Sequence, residues 1–295
     1  MSTLLAFLAH PDDESFGIGG TLAHYARAGV SVHYLCATRG ESGTVDAHRL
    51  EGYASVEDLR DTELACASKA LGLASYAYLG FRDSGMKGSP DNARADAFVQ
   101  ADIDVAARRL AGFVVAHRPN VLITHDQYGG YGHPDHIQCH RATLRLYELA
   151  WGIRIGYAPD GASTVSIGAP LDPALADGMP APRLFYSVFP KRFVRWGARA
   201  LRWTGKDPRR WGRNHDIDLV QIASWDLPPH VRIDIRPVIE VKRAASACHA
   251  SQQMPTKGQP LIQRLFFRRS ADERFSQAYP AAPARGRLKT DLFAE

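Results

Sequence analysis

The chain has 295 residues, enough for one large α/β domain with an elaborated end or for two small domains. An apolar share of 45% with 23% charged residues excludes a low-complexity or disordered chain, and a net charge of +5 bears on solubility and attraction to anions but not on fold. Four widely spaced cysteines, Cys36, Cys66, Cys139 and Cys248, form no CxxC pair. They argue against a disulfide framework or a cysteine zinc site, and are expected to be small buried apolar residues in a reducing compartment.

The apolar run from Leu4 to Ala9 is too short for a signal-peptide core and lacks a basic leader. No stretch approaches the roughly 20 apolar residues that span a bilayer, so a soluble cytoplasmic protein is expected. Leu4–Leu8 reads as a first strand, followed by a Gly-rich turn and a helix over Thr21–Ala28. Val30–Ala37 is a second strand, Val56–Leu71 a helix, Tyr76–Leu79 a short strand, Ala101–His117 an amphipathic helix and Val121–Thr124 a further strand. Another helix follows Pro134. This alternation predicts a Rossmann-like, mainly parallel sheet with helices on both faces, in which sites form beyond the carboxyl ends of the strands. Residues 151–182 read as a long loop or insertion, Leu184–Val188 and Val231–Ile235 as strands, Ile239–Ser251 as a helix, and the tail from Ala281 as loosely held. The chain reads as a single domain, with a core over 1–150 and a C-terminal elaboration over 151–295.

Two motifs sit at strand ends. His10-Pro11-Asp12-Asp13-Glu14 directly follows the first strand. A solvated turn with a helix-capping Asp is the plain alternative, but so many polar groups are costly in a core, and a strand-end loop is where chemistry is favoured. Pro11 stiffens the loop, so His10 and Asp13 can face one point. An imidazole and a carboxylate are two-thirds of a catalytic metal site, and Asp12 can serve as a base without being a ligand. Tyr131-Gly132-His133-Pro134-Asp135-His136 follows the strand Val121–Thr124. Pro134 suits a first helical position, with His133 as N-cap and with Asp135 and His136 in the first turn. Asp135 there compensates the helix dipole, whereas two histidines at a helix N-terminus need another reason, such as ligation as neutral bases. Together the motifs supply His10, Asp13 and His136 as three ligands with an open position for water. That set suits Zn2+, and also Fe2+ or another divalent ion.

The two motifs, AHPDDE and GYGHPDH, resemble the PIG-L/LmbE-like N-acetylglucosaminyl deacetylase family, and within it the mycothiol and bacillithiol branch with its deacetylase and the mycothiol S-conjugate amidase. The resemblance covers residues 3 to 150 and resumes around Lys242–Gln252, where KxxAxxxHxSQ is similar to a family helix. It implies a Rossmann-like fold, metal ligands at His10, Asp13 and His136, and a general base at Asp12. It implies an electrophile or acid at His133, oriented by Asp135, and a tyrosine over the substrate carbonyl at Tyr131. Arg60 and Asp83, and more loosely Glu41, resemble residues that bind sugar hydroxyls; the plain alternative for Arg60 is a solvated helix face. The implied reaction is hydrolysis of an N-acyl, most simply N-acetyl, group from an amino sugar or similar small compound by a metal-activated water. An amidase acting on bulkier thiol S-conjugates, and a non-catalytic sugar- or thiol-binding protein, are the competing readings. An intact base argues against the latter.

Residues 190 to 213 match no family motif. Arg192, Arg195, Arg199 and Arg202 recur at helical spacing among Phe193, Trp196, Leu201 and Trp203. The plain expectation is a surface helix whose aromatic side packs on the domain or on another subunit of a homo-oligomer. A basic lid or a membrane-surface helix are the sharper alternatives. Nucleic acid is not expected as a partner, and membrane contact is not favoured. Among the remaining histidines, His125 is a candidate to support the site from behind and His249 to contact it structurally. His24, His33, His48, His117, His140, His215 and His230 read as surface or packing residues.

Overall fold

A computed structural model describes residues 1–158, 161–188, 191–211, 217–225, 227–253, 272–284 and 286–294. Four parallel strands open the sheet: β1 (Thr3–Leu8), β2 (Ser31–Cys36), β3 (Ser75–Tyr78) and β4 (Val121–Thr124). They are followed by β7 (Arg183–Val188), parallel to β4, then by β9 (Asp272–Tyr279), antiparallel to β7, and at the far edge by β8 (Val231–Asp234), antiparallel to β9. The order across the sheet is β3-β2-β1-β4-β7-β9-β8. After β3 the chain returns past β1 to place β4 on its other side. The crevice beyond the carboxyl ends of β1 and β4 is therefore a topological switch point.

Alternation along β1 builds two cores. Leu5 and Phe7 face one side, packed with Leu110 of α4 (Ile103–His117) and Leu146 of α6 (Pro134–Trp151). Leu4, Ala6 and Leu8 face the other, with Leu22 of α2 (Gly19–Arg27), Leu64 of α3 (Val56–Leu71) and Ala245 of α9 (Ile239–Cys248). Helices cover both faces, as the alternating pattern of elements requires, and a single turn, α1 (Asp13–Phe16), follows β1. α3 starts where Ser55 accepts from the Asp58 N–H, with Glu57 and Asp58 in its first turn. No described helix is long and apolar enough to cross a membrane.

Four expectations are corrected. The region 151–182 is not a plain loop: Ile153–Tyr157 (β5) and Ser163–Ile167 (β6) pair as an antiparallel hairpin. The tail is held, with Leu292 fully buried, its N–H donating to Tyr25 Oη at 2.7 Å, and Lys289 bridging to Val231. Cys66 and Cys248 are not free thiols: they form a disulfide joining α3 to the end of α9, with Cα atoms 5.8 Å apart, while Cys36 and Cys139 are free and buried. The basic segment forms α7 (Lys191–Trp203), packed on α8 (Leu219–Ser224) with Ala198 buried, but its tryptophans do not pack on the domain. Trp196 and Trp203 are 57% and 78% exposed. Residues 190, 212, 213 and 215 lie outside the described residues.

Candidate metal centre

The loop after β1 turns sharply at Asp12, whose backbone adopts φ 142°. Such a conformation persists only where neighbours fix it. Here Glu14 accepts from the Asp12 N–H at 2.9 Å, and Arg60 reaches from α3 to Asp12 Oδ2 at 2.7 Å, to the Pro11 carbonyl and to the Gly40 carbonyl at 3.0 Å. Arg60 is therefore not on a solvated helix face; it is 2% exposed and grips the motif. The loop after β4 closes through a distorted turn, α5 (Gly129–Gly132), in which Gly130 at φ 66° permits the kink. His133 then caps α6, its Nδ1 accepting from the Asp135 N–H at 3.2 Å, with Pro134 in the first turn.

The two loops bring three donor atoms together. His136 Nε2 lies 3.3 Å from His10 Nδ1, Asp13 Oδ2 lies 3.4 Å from His136 Nε2, and His10 Nδ1 lies 3.6 Å from Asp13 Oδ2. Ligands at about 2.0–2.1 Å from a tetrahedral ion stand roughly 3.3–3.4 Å apart, so the triangle fits a divalent cation. Two overlapping groups of possible ligands share His136: His10 with His133, and Asp13 with His125. His125 Nε2 faces the Ala9 N–H at 3.2 Å, and its ring stacks on that of His136 at 3.7 Å, so it supports the site from behind. None of His24, His33, His48, His117, His140 and His230 is among the possible metal ligands.

The charges also call for a cation. Burial, opposed by Asp13, holds His136 well below the usual imidazole range, which leaves it neutral and able to ligate. At His10, burial lowers proton affinity but the carboxylates of Asp83, Asp13 and Asp135 outweigh it, so the ring attracts positive charge. Burial would raise Asp13, yet His136 and His125 keep it well below the carboxylate range. Asp12 is different: burial, opposed by Arg60, pushes it up to about 6. His133 is held by burial, with help from His10, down to about 3.

The other sequence candidates meet the site in ways of their own. Asp135 touches His133 only through its backbone N–H. Its carboxylate accepts from Ser84 N–H at 2.9 Å and from Ser84 Oγ, and lies 3.3 Å from His10 Nε2, so it orients His10. Asp83 lies 3.5 Å from His10 Nε2 and accepts from Gly85 N–H at 2.8 Å. Glu41 accepts from the Asp83 N–H at 3.0 Å and braces that loop. Tyr131 stands at the mouth, partly exposed, with its ring 5.0 Å from that of His136. Two residues had no assigned role. Ser84 is the donor to Asp135, and Glu14, fully buried, takes a 2.6 Å hydrogen bond from His249 at the end of α9. A charged residue next to Asp13 that is also the last of the motif was the available signal for Glu14. Trp225 stacks on Tyr128 at 5.0 Å beside the α5 turn.

Residues 5–147 match the family model described as PIG-L: GlcNAc-PI de-N-acetylase. A 1D-myo-inositol 2-acetamido-2-deoxy-alpha-D-glucopyranoside deacetylase of Thermobispora bispora is 37% identical over 83% of this chain and 78% of its own. The chain belongs to the PIG-L family. Among solved structures, N,N'-diacetylchitobiose deacetylase from Pyrococcus horikoshii superposes with a TM-score of 0.57 at 18% identity, over 96% of this chain and 84% of its own. The 4-carboxy-2-hydroxymuconate hydratase GalB from Pseudomonas putida KT2440 superposes equally well, at 0.57 and 19% identity, over 96% and 98%. One frame thus carries both a hydrolase and a hydratase, and for this PIG-L member the side chains of the site, not the fold, have to decide the reaction.

Proposed function

We propose that this protein is a zinc-dependent N-deacetylase that hydrolyses the acetamide of an N-acetylglucosaminyl compound, with an inositol glycoside as the first substrate to test. The observation that carries this reading is the triangle of His10 Nδ1, Asp13 Oδ2 and His136 Nε2 with Asp12 alongside as a fourth group not needed for ligation. Sequence similarity to the Thermobispora bispora enzyme supports the substrate class.

His10, Asp13 and His136 would hold the ion. When bound, it would polarise the amide carbonyl and bring a water pKa down to about 7. Asp12, with its carboxyl pushed up to about 6, takes the proton of the attacking water and returns it to the departing amine. Arg60 fixes the carboxylate for both transfers. The His133 N-cap bond occupies Nδ1 as acceptor, so the neutral ring carries its proton on Nε2 and donates to the developing oxyanion. At neutral pH it is an electrophile and not an acid, because a group held down at about 3 has no proton to transfer. Tyr131 at the mouth closes over the carbonyl. Asp83 faces the same space for sugar hydroxyls, while Arg60 and Glu41 act through the loops they hold.

The test is acetate and free-amine release by metal-loaded protein from N-acetylglucosaminyl-inositol, from N-acetylglucosamine and from thiol S-conjugates of the same sugar. Release confined to S-conjugates would make the protein an amidase of the larger substrates. No release from any, with metal bound, would leave a binding protein.

A further inference from the structure

The surface of α7 and of the turn after it is strongly basic. Residues 191–210 hold eight basic residues and Asp207 as the only acid, a net +7, whereas the whole chain carries +5; everything else therefore sums to −2. Trp196, Arg199 and Trp203 recur at i, i+3 and i+7, which places them on one stripe of the helix, with Arg202 beside it. All four are exposed, and exposed Lys206 and Arg209 extend the charge past the helix end. The opposite side is the packed one: Ala198 is buried, Val194 and Leu201 are partly so, and α8 lies against it. Between α7 and the catalytic turn α5 stands α8, so the arginine stripe does not line the metal centre.

We propose that this face of α7 docks the enzyme on a bilayer surface rich in anionic lipid. Indole rings favour the headgroup boundary, where an apolar body and an N–H are both accommodated, and arginines beside them meet lipid phosphate. Attraction to an anionic leaflet is worth about fivefold in partitioning for each basic residue near the surface. A second copy of the chain suits the face less well, since a two-fold contact would set exposed Arg199, Arg202, Lys206 and Arg209 of one copy against the same residues of the other. Docking would also hold the mouth of the site, one helix away through α8, close to the lipid headgroups.

Metal-loaded full-length protein is sedimented with phosphatidylcholine vesicles containing either no anionic lipid or 30% phosphatidylglycerol, in about 0.1 M and about 0.5 M NaCl. The expected result is binding to anionic vesicles alone, weakened by salt, with a blue shift of tryptophan fluorescence. Arg199→Glu with Arg202→Glu should lower partitioning at least tenfold. Trp196→Ala with Trp203→Ala should weaken it and abolish the shift. Turnover of a soluble substrate should stay unchanged in both variants, which shows that they fold. Equal binding to neutral and anionic vesicles, no binding to either, or variants that sediment like the parent would overturn the proposal. So would a change of oligomeric state in the tryptophan variant without loss of vesicle binding, or tighter binding to a single-stranded oligonucleotide than to vesicles.

Discussion

At the scale of single residues, four carboxylates crowd around His10 and His136, and each is distinguished by its hydrogen-bond partners. Asp13 faces three imidazole nitrogens, those of His10, His125 and His136, while Asp135 is pinned by Ser84, Asp83 by its own loop, and Asp12 by Arg60. This division predicts different failures. Asp12→Asn should lose roughly 10²–10⁴ in kcat, the range of general acid–base catalysis, while keeping its metal. His136→Ala should lose metal and rate together; elemental analysis after dialysis separates the two cases, and metal retained in both variants would remove His136 from the ligand set. Because burial pushes Asp12 up to about 6, and a cation bound alongside would draw it down, the acid limb of kcat in the parent should lie at or below pH 6. Asp12 must be ionised to accept a proton, so activity falls as pH drops through that limb, and the limb should vanish in the residual activity of Asp12→Asn. A second prediction concerns Gly40, which has φ +71° and a backbone so close to Arg60 that an added Cβ would stand 1.9 Å from Nη1. Gly40→Ala should expel the guanidinium from its seat and lower kcat at least about tenfold, since misplacing a catalytic group by about 1 Å costs on that order or more. Unchanged turnover in that variant would show that Arg60 does not position Asp12.

Elements explain both what was readable in the chain and what was hidden. His133 as N-cap, Pro134 behind it and the strand ends of β1 and β4 are local signals, set by backbone chemistry over a few residues, and they locate the site. The β9 strand was missed because its inward positions carry Glu273 and Gln277. Glu273 is tolerable there only because the N–H groups of Gly20 and Thr21 and the Lys242 ammonium reach it from more than 30 residues away or from the other end of the chain. The contacts of Arg60 are hidden in the sequence for a similar reason: its partners Pro11, Asp12 and Gly40 come from other loops. The β5–β6 hairpin lies largely exposed, with Ile167 at 74%, so no clean alternation marks it. Within α6, His140, one of the histidines that read as surface or packing residues, is a packing one, 5% exposed with its Nδ1 donating to the His125 carbonyl at 3.2 Å. Burial holds it down at about 4, against about 6.5 for a free imidazole. The unfolded chain therefore binds the proton first, and stability present above pH 6.5 is lost as pH falls toward 4. The loss from this residue is roughly 3 kcal/mol in full and about 1–1.5 kcal/mol by pH 5.5. His140→Gln should show a flatter decline in urea midpoint between pH 7.5 and 5.5 than the parent; parallel declines would mean that His140 keeps an ordinary affinity in the folded protein.

For the whole molecule, the sheet built by residues 3–124 is continued by β7, β9 and β8, so the C-terminal part is woven into the frame that carries the site. The Cys66–Cys248 bond adds a covalent tie across that frame, between the helix that supplies Arg60 and the helix that ends at His249. No spacing rule announces a pairing across 182 residues, which is why the cysteines read as unrelated. A loop of that length contributes about 5 kcal/mol in the chain-entropy view. Cys66→Ser, or reductant added to the parent, should lower Tm by roughly 5–15 °C, and reductant should have no further effect on the variant. Thiol titration of the parent under denaturing conditions without reductant should find two thiols; four would show that the bond does not form.

The same bond makes the chain a ring with two ends. The ring runs from residue 66 to residue 248 and encloses the whole of the second motif and α7, while the first motif hangs outside it on the N-terminal arm. A protease that cuts among the exposed arginines of 199–210 severs the backbone but not the molecule. The two pieces would migrate as one species until reduced: His10, Asp13 and His136 all lie on the N-terminal piece, and the bond keeps with it the C-terminal piece that carries β8, β9 and His249. This exposed, basic stretch is thus one that can be broken without releasing the strands and the helix that complete the frame around the metal centre.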